Sequence, residues 1–351
     1  MRTYAFLSVL LFVFAVAPQG WCEEGKTQVV VSNAAYRSIA EYIGGDKVQV
    51  EQVVAGNQDP HIVRPKPSLA LLLKDADLFI GTGLDLEMWS PALVDMSGNP
   101  DIRSGQKGFV AASAGMPLME IPANVSRSEG DVHVYGNPHI HTSPLNCKVI
   151  AENIYLGLRR IAPSHEGLFK ANLKRFKDEI DRRMFGNELV RLLGSKTLTK
   201  LARTGKLVPF LERKKYKGQP LIRLLDGWMK EALPLRGRKI VCYHKTIVYF
   251  ASVMGIDIVG YLEPKPGIPP SPGHLLSVMN TMKAEDIRVL WAENYFDVGK
   301  VAKVAKKVGA VPVVVWLAPG QQEGMKDVFD MFDVWIRELN AAFAKADRAG
   351  R

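Results

Sequence analysis

Cysteine is almost absent, at three in 351 residues. So few cannot frame a disulfide-stapled scaffold in a chain of this length. Long apolar runs are also scarce. The longest, residues 4–17, falls short of the roughly twenty residues a bilayer crossing needs, and residues 239–250 and 311–317 are shorter still, so an integral membrane protein is not expected. Acidic residues are outnumbered, which leaves a formal charge of +10, but aromatics are only 9% and are not interleaved with the basic positions. A single-strand nucleic-acid groove needs such stacking surfaces. The basic excess, densest between residues 170 and 217, therefore reads as a solvated face, and no nucleic-acid partner is expected. There is no HExxH helix and no separate nucleophile constellation, which argues against a hydrolase.

The N-terminus has the form of a secretory signal. Arg2 precedes the apolar run, and a polar exit follows it, so residues 1–23 are assigned as a signal peptide. Ala15-Val16-Ala17 has the small-residue cleavage pattern, although Pro18 follows it. Trp21 before Cys22 is wrong for a lipoprotein cleavage site, so an exported, periplasmic, soluble and monomeric protein is expected, without lipid anchoring at Cys22. Removal of the leader leaves Cys147 and Cys242, which either pair or serve as buried apolar fillers.

From Thr27 onward, short β-rich runs alternate with amphipathic stretches. Residues 28–31, 48–54, 77–81 and 108–112 read as strands, with helices over 34–43 and 67–74. A helix over 144–161 and a long charged one over 164–184 follow. Residues 185–235 read as helical, basic and glycine-broken, with no strand. The alternation resumes at 239–243, 256–261, 288–292 and 311–317, and a last helix covers 325–344. Such alternation implies right-handed crossovers and mainly parallel sheets. The fold expected is α/β: two lobes, residues 27–163 and 237–351, joined by a bridging helix and helical insertion over 164–236.

Chemistry is concentrated in the histidines. Of the seven, His61 follows Asp59-Pro60 after the second strand, His139 ends Gly136-Asn137-Pro138-His139, and His244 directly follows a strand. Ligands of α/β sheets gather beyond the carboxyl ends of strands. Three imidazoles from three separate segments can therefore converge in one cleft and hold Zn²⁺, leaving a fourth position for water or a carboxylate. Spacing alone leaves a structural role for these histidines equally open.

Asp59-Pro60-His61 followed by Arg64-Pro65-Lys66-Pro67-Ser68, then Gly136-Asn137-Pro138-His139, then Tyr243-His244-Lys245, resemble the three ligand motifs of the metal-binding proteins of zinc and manganese ABC importers. The resemblance implies two lobes bridged by a long helix, a metal buried between them, and delivery of the ion to a membrane permease driven by a cytoplasmic ATPase. It implies Zn²⁺ rather than Mn²⁺, because manganese-type members carry a carboxylate at the third position. The chain departs from the pattern where many relatives place an Asp, which becomes Ala318. Glu293 is the protein substitute for that ligand, with acceptance of a histidine N–H as its alternative role; water and His141 are the other candidates. His133 reads as a solvated loop histidine, with capture of metal on the way in as its alternative, and the long His- and Asp-rich loop of zinc-type members is reduced to residues 126–135. A secreted three-histidine zinc hydrolase or hydratase, a manganese-binding protein and a surface adhesin are the competing readings.

Overall fold

The computed structural model describes residues 25–122, 133–265 and 267–349. The proposed signal peptide, Cys22 and most of the 126–135 segment lie outside them.

The first sheet grows from β1 (Thr27–Val31), a β-branched run buried along nearly its whole length. After α1 (Ala34–Gly44) comes β2 (Val48–Gln52), then α2 (Pro67–Lys74), β3 (Leu78–Gly81), α3 (Ser90–Ser97) and β4 (Phe109–Ala111). All pairings are parallel, in the order β2-β1-β3-β4. Asn33 starts α1 by accepting the N–H groups of Ala35 and Tyr36 at 3.1 and 3.2 Å, which satisfies two of the donors a helix start leaves open.

Two long helices follow, α4 (Pro144–Ile161) and α5 (Glu166–Phe185). The second lobe comprises β7 (Lys239–Cys242), α10 (Val248–Met254), β8 (Asp257–Tyr261), α11 (Pro272–Ala284), β9 (Val289–Glu293), α12 (Val298–Val308), β10 (Val311–Val315) and α13 (Val328–Ala349). Its sheet is also parallel, in the order β10-β9-β7-β8. Read from the other edge, this is the winding of the first sheet. In both lobes the first strand sits where successive crossovers depart in opposite directions, and such switch points open a crevice beyond the strands' carboxyl ends. No internal sequence repeat announces the duplication.

One apolar cluster runs from the first sheet through α4 and α5 to α13 and the second sheet. Within it Trp335 packs edge-on against Trp291, Phe250 and Phe332. Cys147 and Cys242 are both buried and unpaired, so the filler role holds and the disulfide alternative does not. Among the described residues no helix is long and apolar enough to cross a membrane.

Between the lobes lie α6 (Asn187–Leu193), α7 (Ser195–Arg203), α8 (Leu207–Arg213), the strands β5 (Lys215–Tyr216) and β6 (Gln219–Pro220), and α9 (Trp228–Glu231). The β5–β6 hairpin corrects the strand-free expectation for this region. Its two turn residues, Lys217 and Gly218, both have positive φ (49° and 80°), the conformation that matches strand twist in two-residue hairpins. Strands this short carry no alternating pattern to read. Lys148 on α4 fastens the insertion, reaching Asp181 at 2.7 Å and Ser195 at 3.0 Å. Arg203 adds bonds to the Asn146 side chain and the Leu145 carbonyl.

Gly157 lets α4 approach the first sheet: a Cβ there would stand 2.3 Å from Val110 Cγ2. Gly157→Ala is therefore expected to destabilise the protein by about 1–3 kcal/mol, because overpacking outweighs the gain in helix propensity. Urea denaturation measures it as a lower midpoint at unchanged slope.

Candidate metal centre

Two local devices set the first histidines. In Asp59-Pro60-His61 the Asp59 carboxylate accepts the His61 backbone N–H at 2.9 Å and its ring Nδ1–H at 2.7 Å. Asn137-Pro138-His139 repeats the arrangement: Asn137 Oδ1 accepts the His139 N–H and Nδ1–H, both at 3.0 Å. In each, the intervening proline fixes φ and has no N–H to compete for the oxygen. The other two histidines find acceptors across the fold. Glu263, just beyond β8, takes the Nδ1–H of His244, and Asp85, beyond β3, takes that of His133 at 3.1 Å.

Carboxylates only accept, so Nδ1 carries the proton in His61, His133 and His244, and Nε2 is left with a free lone pair. Asn137 Oδ1 fixes His139 the same way, because its amide nitrogen already donates to Glu120 and to the Lys245 carbonyl. The four Nε2 atoms then converge. Each of His61, His133, His139 and His244 offers a ligand atom within 4.8 Å of the others, and ring centroids lie 5.1–5.7 Å apart in five of the pairings. His61 Nε2 and His133 Nε2 stand 3.3 Å apart, close to the about 3.3 Å that separates two nitrogens bound 2.0–2.1 Å from a tetrahedral ion. Nε2 of His139 and of His244 is buried without a protein partner. Facing lone pairs repel, and a cation among them satisfies all four.

The structure therefore brings together His61, His139 and His244, as the sequence suggested, and adds His133. Glu293 is fully buried at the end of β9, but it stands outside this group and accepts the Trp291 Nε1–H at 2.9 Å. His141 is also apart. Residues 140–142 form a 3₁₀ turn rather than an extended run, and the His141 ring meets Tyr36 edge-on at 5.9 Å. Ala318, where an Asp was looked for, is buried and apolar, and a Cβ built on Gly56 of the other lobe would stand 2.9 Å from its own. Sequence reasoning missed the acceptors. Asp59 and Asn137 had a visible signal, an Asx-Pro-His triplet occurring twice; Asp85 and Glu263 had none.

Hydrogen bonds join the two lobes beside the group. Tyr249 of α10 donates to the Asn137 carbonyl at 2.7 Å and accepts the Met119 N–H, and Thr142 Oγ1 lies 3.1 Å from the Thr246 carbonyl. Burial lowers three of the histidines, His139, His141 and His244. It drives His139 well below its ordinary range, with the neighbouring imidazoles adding to the shift. His244 is lowered by burial and partly restored by Glu263, and burial lowers His141 to about 4. Burial pushes the Glu293 carboxyl up to about 7. For Asp59, burial acts upward, but the hydrogen bond and charge of His61 outweigh it and hold the carboxylate below its usual value.

The family described as zinc-uptake complex component A, periplasmic, matches residues 29–183 and 215–342. Among curated relatives, the manganese ABC transporter substrate-binding lipoprotein PsaA of Streptococcus mitis is 27% identical over 182 residues, 50% of this chain and 56% of that protein. The metal ABC transporter substrate-binding lipoprotein SsaB of Streptococcus sanguinis is 26% identical over 190 residues, 51% and 58% of the two chains. The matched stretch thus spans little more than half the length of these relatives. A zinc-bound deletion mutant of ZnuA superposes with a TM-score of 0.66 at 21% identity, covering 90% of this chain and 98% of its own. At that identity the likeness speaks for the fold.

A pH dependence follows for the metal-free protein. His139, His141 and His244 bind protons more weakly folded than unfolded, so stability falls as pH drops through about 6.5. Glu293 has the opposite sign: its folded value is raised, so its contribution is full below about 4.3 and is lost as pH rises through about 7. The three histidines set the net direction, a loss of stability on acidification. Glu293→Gln removes the opposing contribution and is expected to steepen that loss, read as urea midpoints between pH 8 and pH 5.

Proposed function

The chain belongs to the family of periplasmic zinc-uptake complex component A proteins, and on that footing we propose that it captures Zn²⁺ and delivers it to a membrane permease driven by a cytoplasmic ATPase. The observation that carries this reading is the convergence of four imidazoles, from segments of both lobes, with Nε2 directed inward. His61, His133, His139 and His244 are the proposed ligands. Imidazole nitrogen suits Zn²⁺, whereas Mn²⁺ favours carboxylate and water oxygen. The preference for zinc therefore rests on a donor set without oxygen, although relatives such as PsaA are named for manganese. Four neutral rings around Zn²⁺ leave a charge of +2, which the carboxylates of Asp59, Asp85 and Glu263 offset from behind.

The transport reading also fits better than hydrolysis. A catalytic zinc keeps one coordination position open for water, whereas the proposed set, with His133 as fourth ligand, would leave none. Family members are substrate-binding transport proteins, and the proposed setting is the periplasm, with the protein acting as a monomer. Glu293 is assigned no direct bond to the ion, since it stands outside the group of four histidines; its Oε1 accepts from Trp291.

Equilibrium titration with competing chelators tests the ligand assignment. Alanine at position 61, 133, 139 or 244 is expected to weaken Zn²⁺ binding severely. Asp59→Asn and Asp85→Asn, which loosen only the orientation of a ring, should cost about 10- to 100-fold. Glu293→Gln should bind Zn²⁺ nearly as the wild type does. A His133→Ala protein with unaltered affinity would remove the fourth ligand from this scheme. Preferential uptake of Mn²⁺ at equal free concentrations would overturn the choice of zinc.

A further inference from the structure

The basic excess noted in the sequence is local. Ten Lys and Arg residues and a single carboxylate, Glu212, lie between Arg191 and Arg223, a net charge of +9 in a chain whose total is +10. Most of this stretch, residues 184–214, lies outside the match to the family. The charges are also gathered in space, because α6, α7 and α8 pack on one another and the hairpin folds against α8. Lys196 and Lys200 share a face of α7, and Arg213, Lys214, Lys215 and Lys217 crowd the end of α8 and the hairpin, all of them exposed.

Elsewhere on the surface basic side chains are commonly answered by acidic ones, as in Lys177–Glu152, Arg238–Asp347 and Lys239–Glu285. Within residues 191–223 none of the ten forms an ion pair with a carboxylate of the described residues, though Arg203 turns inward to Asn146. The patch has no apolar anchor, since no large hydrophobic residue between 187 and 225 is exposed. Protein–protein interfaces concentrate their energy in buried aromatic and apolar anchors. Nor is there a stacking surface for bases: Tyr216 is half-buried, with the Lys217 ammonium 5.3 Å from its ring centre. Dense, unpaired, mostly lysine charge on a face without apolar anchors matches a fluid surface of like negative charges. Near such a surface each Lys or Arg adds to the attraction, which fades within a Debye length.

We propose that the α6–α8 and hairpin face adsorbs this protein onto an anionic phospholipid bilayer. The proposal does not depend on the cargo, because its test contains no permease and its variants leave the histidines untouched. Co-sedimentation of the full chain with phosphatidylcholine vesicles, with and without about 30 mol% phosphatidylglycerol, reads it directly. Binding is expected only to the anionic vesicles and should be lost between about 50 and 500 mM salt. The variant Arg213→Gln/Lys214→Gln/Lys215→Gln/Lys217→Asn should partition at least about tenfold more weakly while retaining wild-type Zn²⁺ affinity as a measure of folding. A second set on α7 and its flanks, Lys196→Gln/Lys200→Gln/Lys206→Gln, should act in the same direction. Lys303→Gln/Lys306→Gln/Lys307→Gln, which removes three charges, as the α7 set does, but from the exposed face of α12, should bind as the wild type does. Equal binding to neutral vesicles, an unaffected hairpin variant, or an α12 variant as impaired as the others would each overturn the proposal. So would binding to duplex DNA without binding to vesicles.

Discussion

An imidazole presents a lone pair on one nitrogen only when the proton on the other has a place to go. Here each of four Nδ1–H groups meets an oxygen: Asp59, Asp85, Asn137 and Glu263. That single requirement fixes tautomer, ring orientation and the direction of Nε2 together. It also explains why three carboxylates, Asp59, Asp85 and Glu263, stand behind the rings. Remove an acceptor and the ring is free to turn or to protonate elsewhere, and the geometry that suits a tetrahedral ion is lost without any ligand having been touched.

The fold meets the requirement from two directions. Two acceptors are local, two residues before their histidines, and need only a stiff Asx-Pro-His turn. The other two come from loops beyond β3 and β8, so they exist only when the sheets are formed. Because both sheets are wound alike, each places its first strand at a switch point and opens its loops toward the same cleft. His244 comes from one lobe and the remaining three histidines from the other, so the group assembles only when the lobes meet. The shared apolar cluster and the Tyr249, Thr142 and Asn137 hydrogen bonds keep them together.

Much of the architecture was legible. Parallel strands buried on both faces are runs of Val, Ile and Leu, and glycines close α1, α5, α10 and α12, so element positions followed from the pattern. The common winding was not legible, because strand order depends on crossovers rather than on composition. The two-residue strands of the hairpin carry no period at all. At the site, His61, His139 and His244 stood out by their motifs, and His139 and His141 could be separated only by a backbone turn that sequence does not display. His133 looked like any loop histidine until β3 brought Asp85 to it. Glu293 does end a strand, as expected, but it stands outside the group of four histidines, and the indole two residues earlier in the same strand donates to one of its oxygens.

The central claim is an all-nitrogen coordination shell, and X-ray absorption at the zinc edge tests it without depending on affinity. The Zn²⁺-loaded protein is expected to show four nitrogen scatterers at about 2.0–2.1 Å, with the outer-shell pattern of four imidazoles, and three imidazoles plus one oxygen in His133→Ala. A wild-type spectrum already containing three imidazoles and an oxygen ligand would contradict the account.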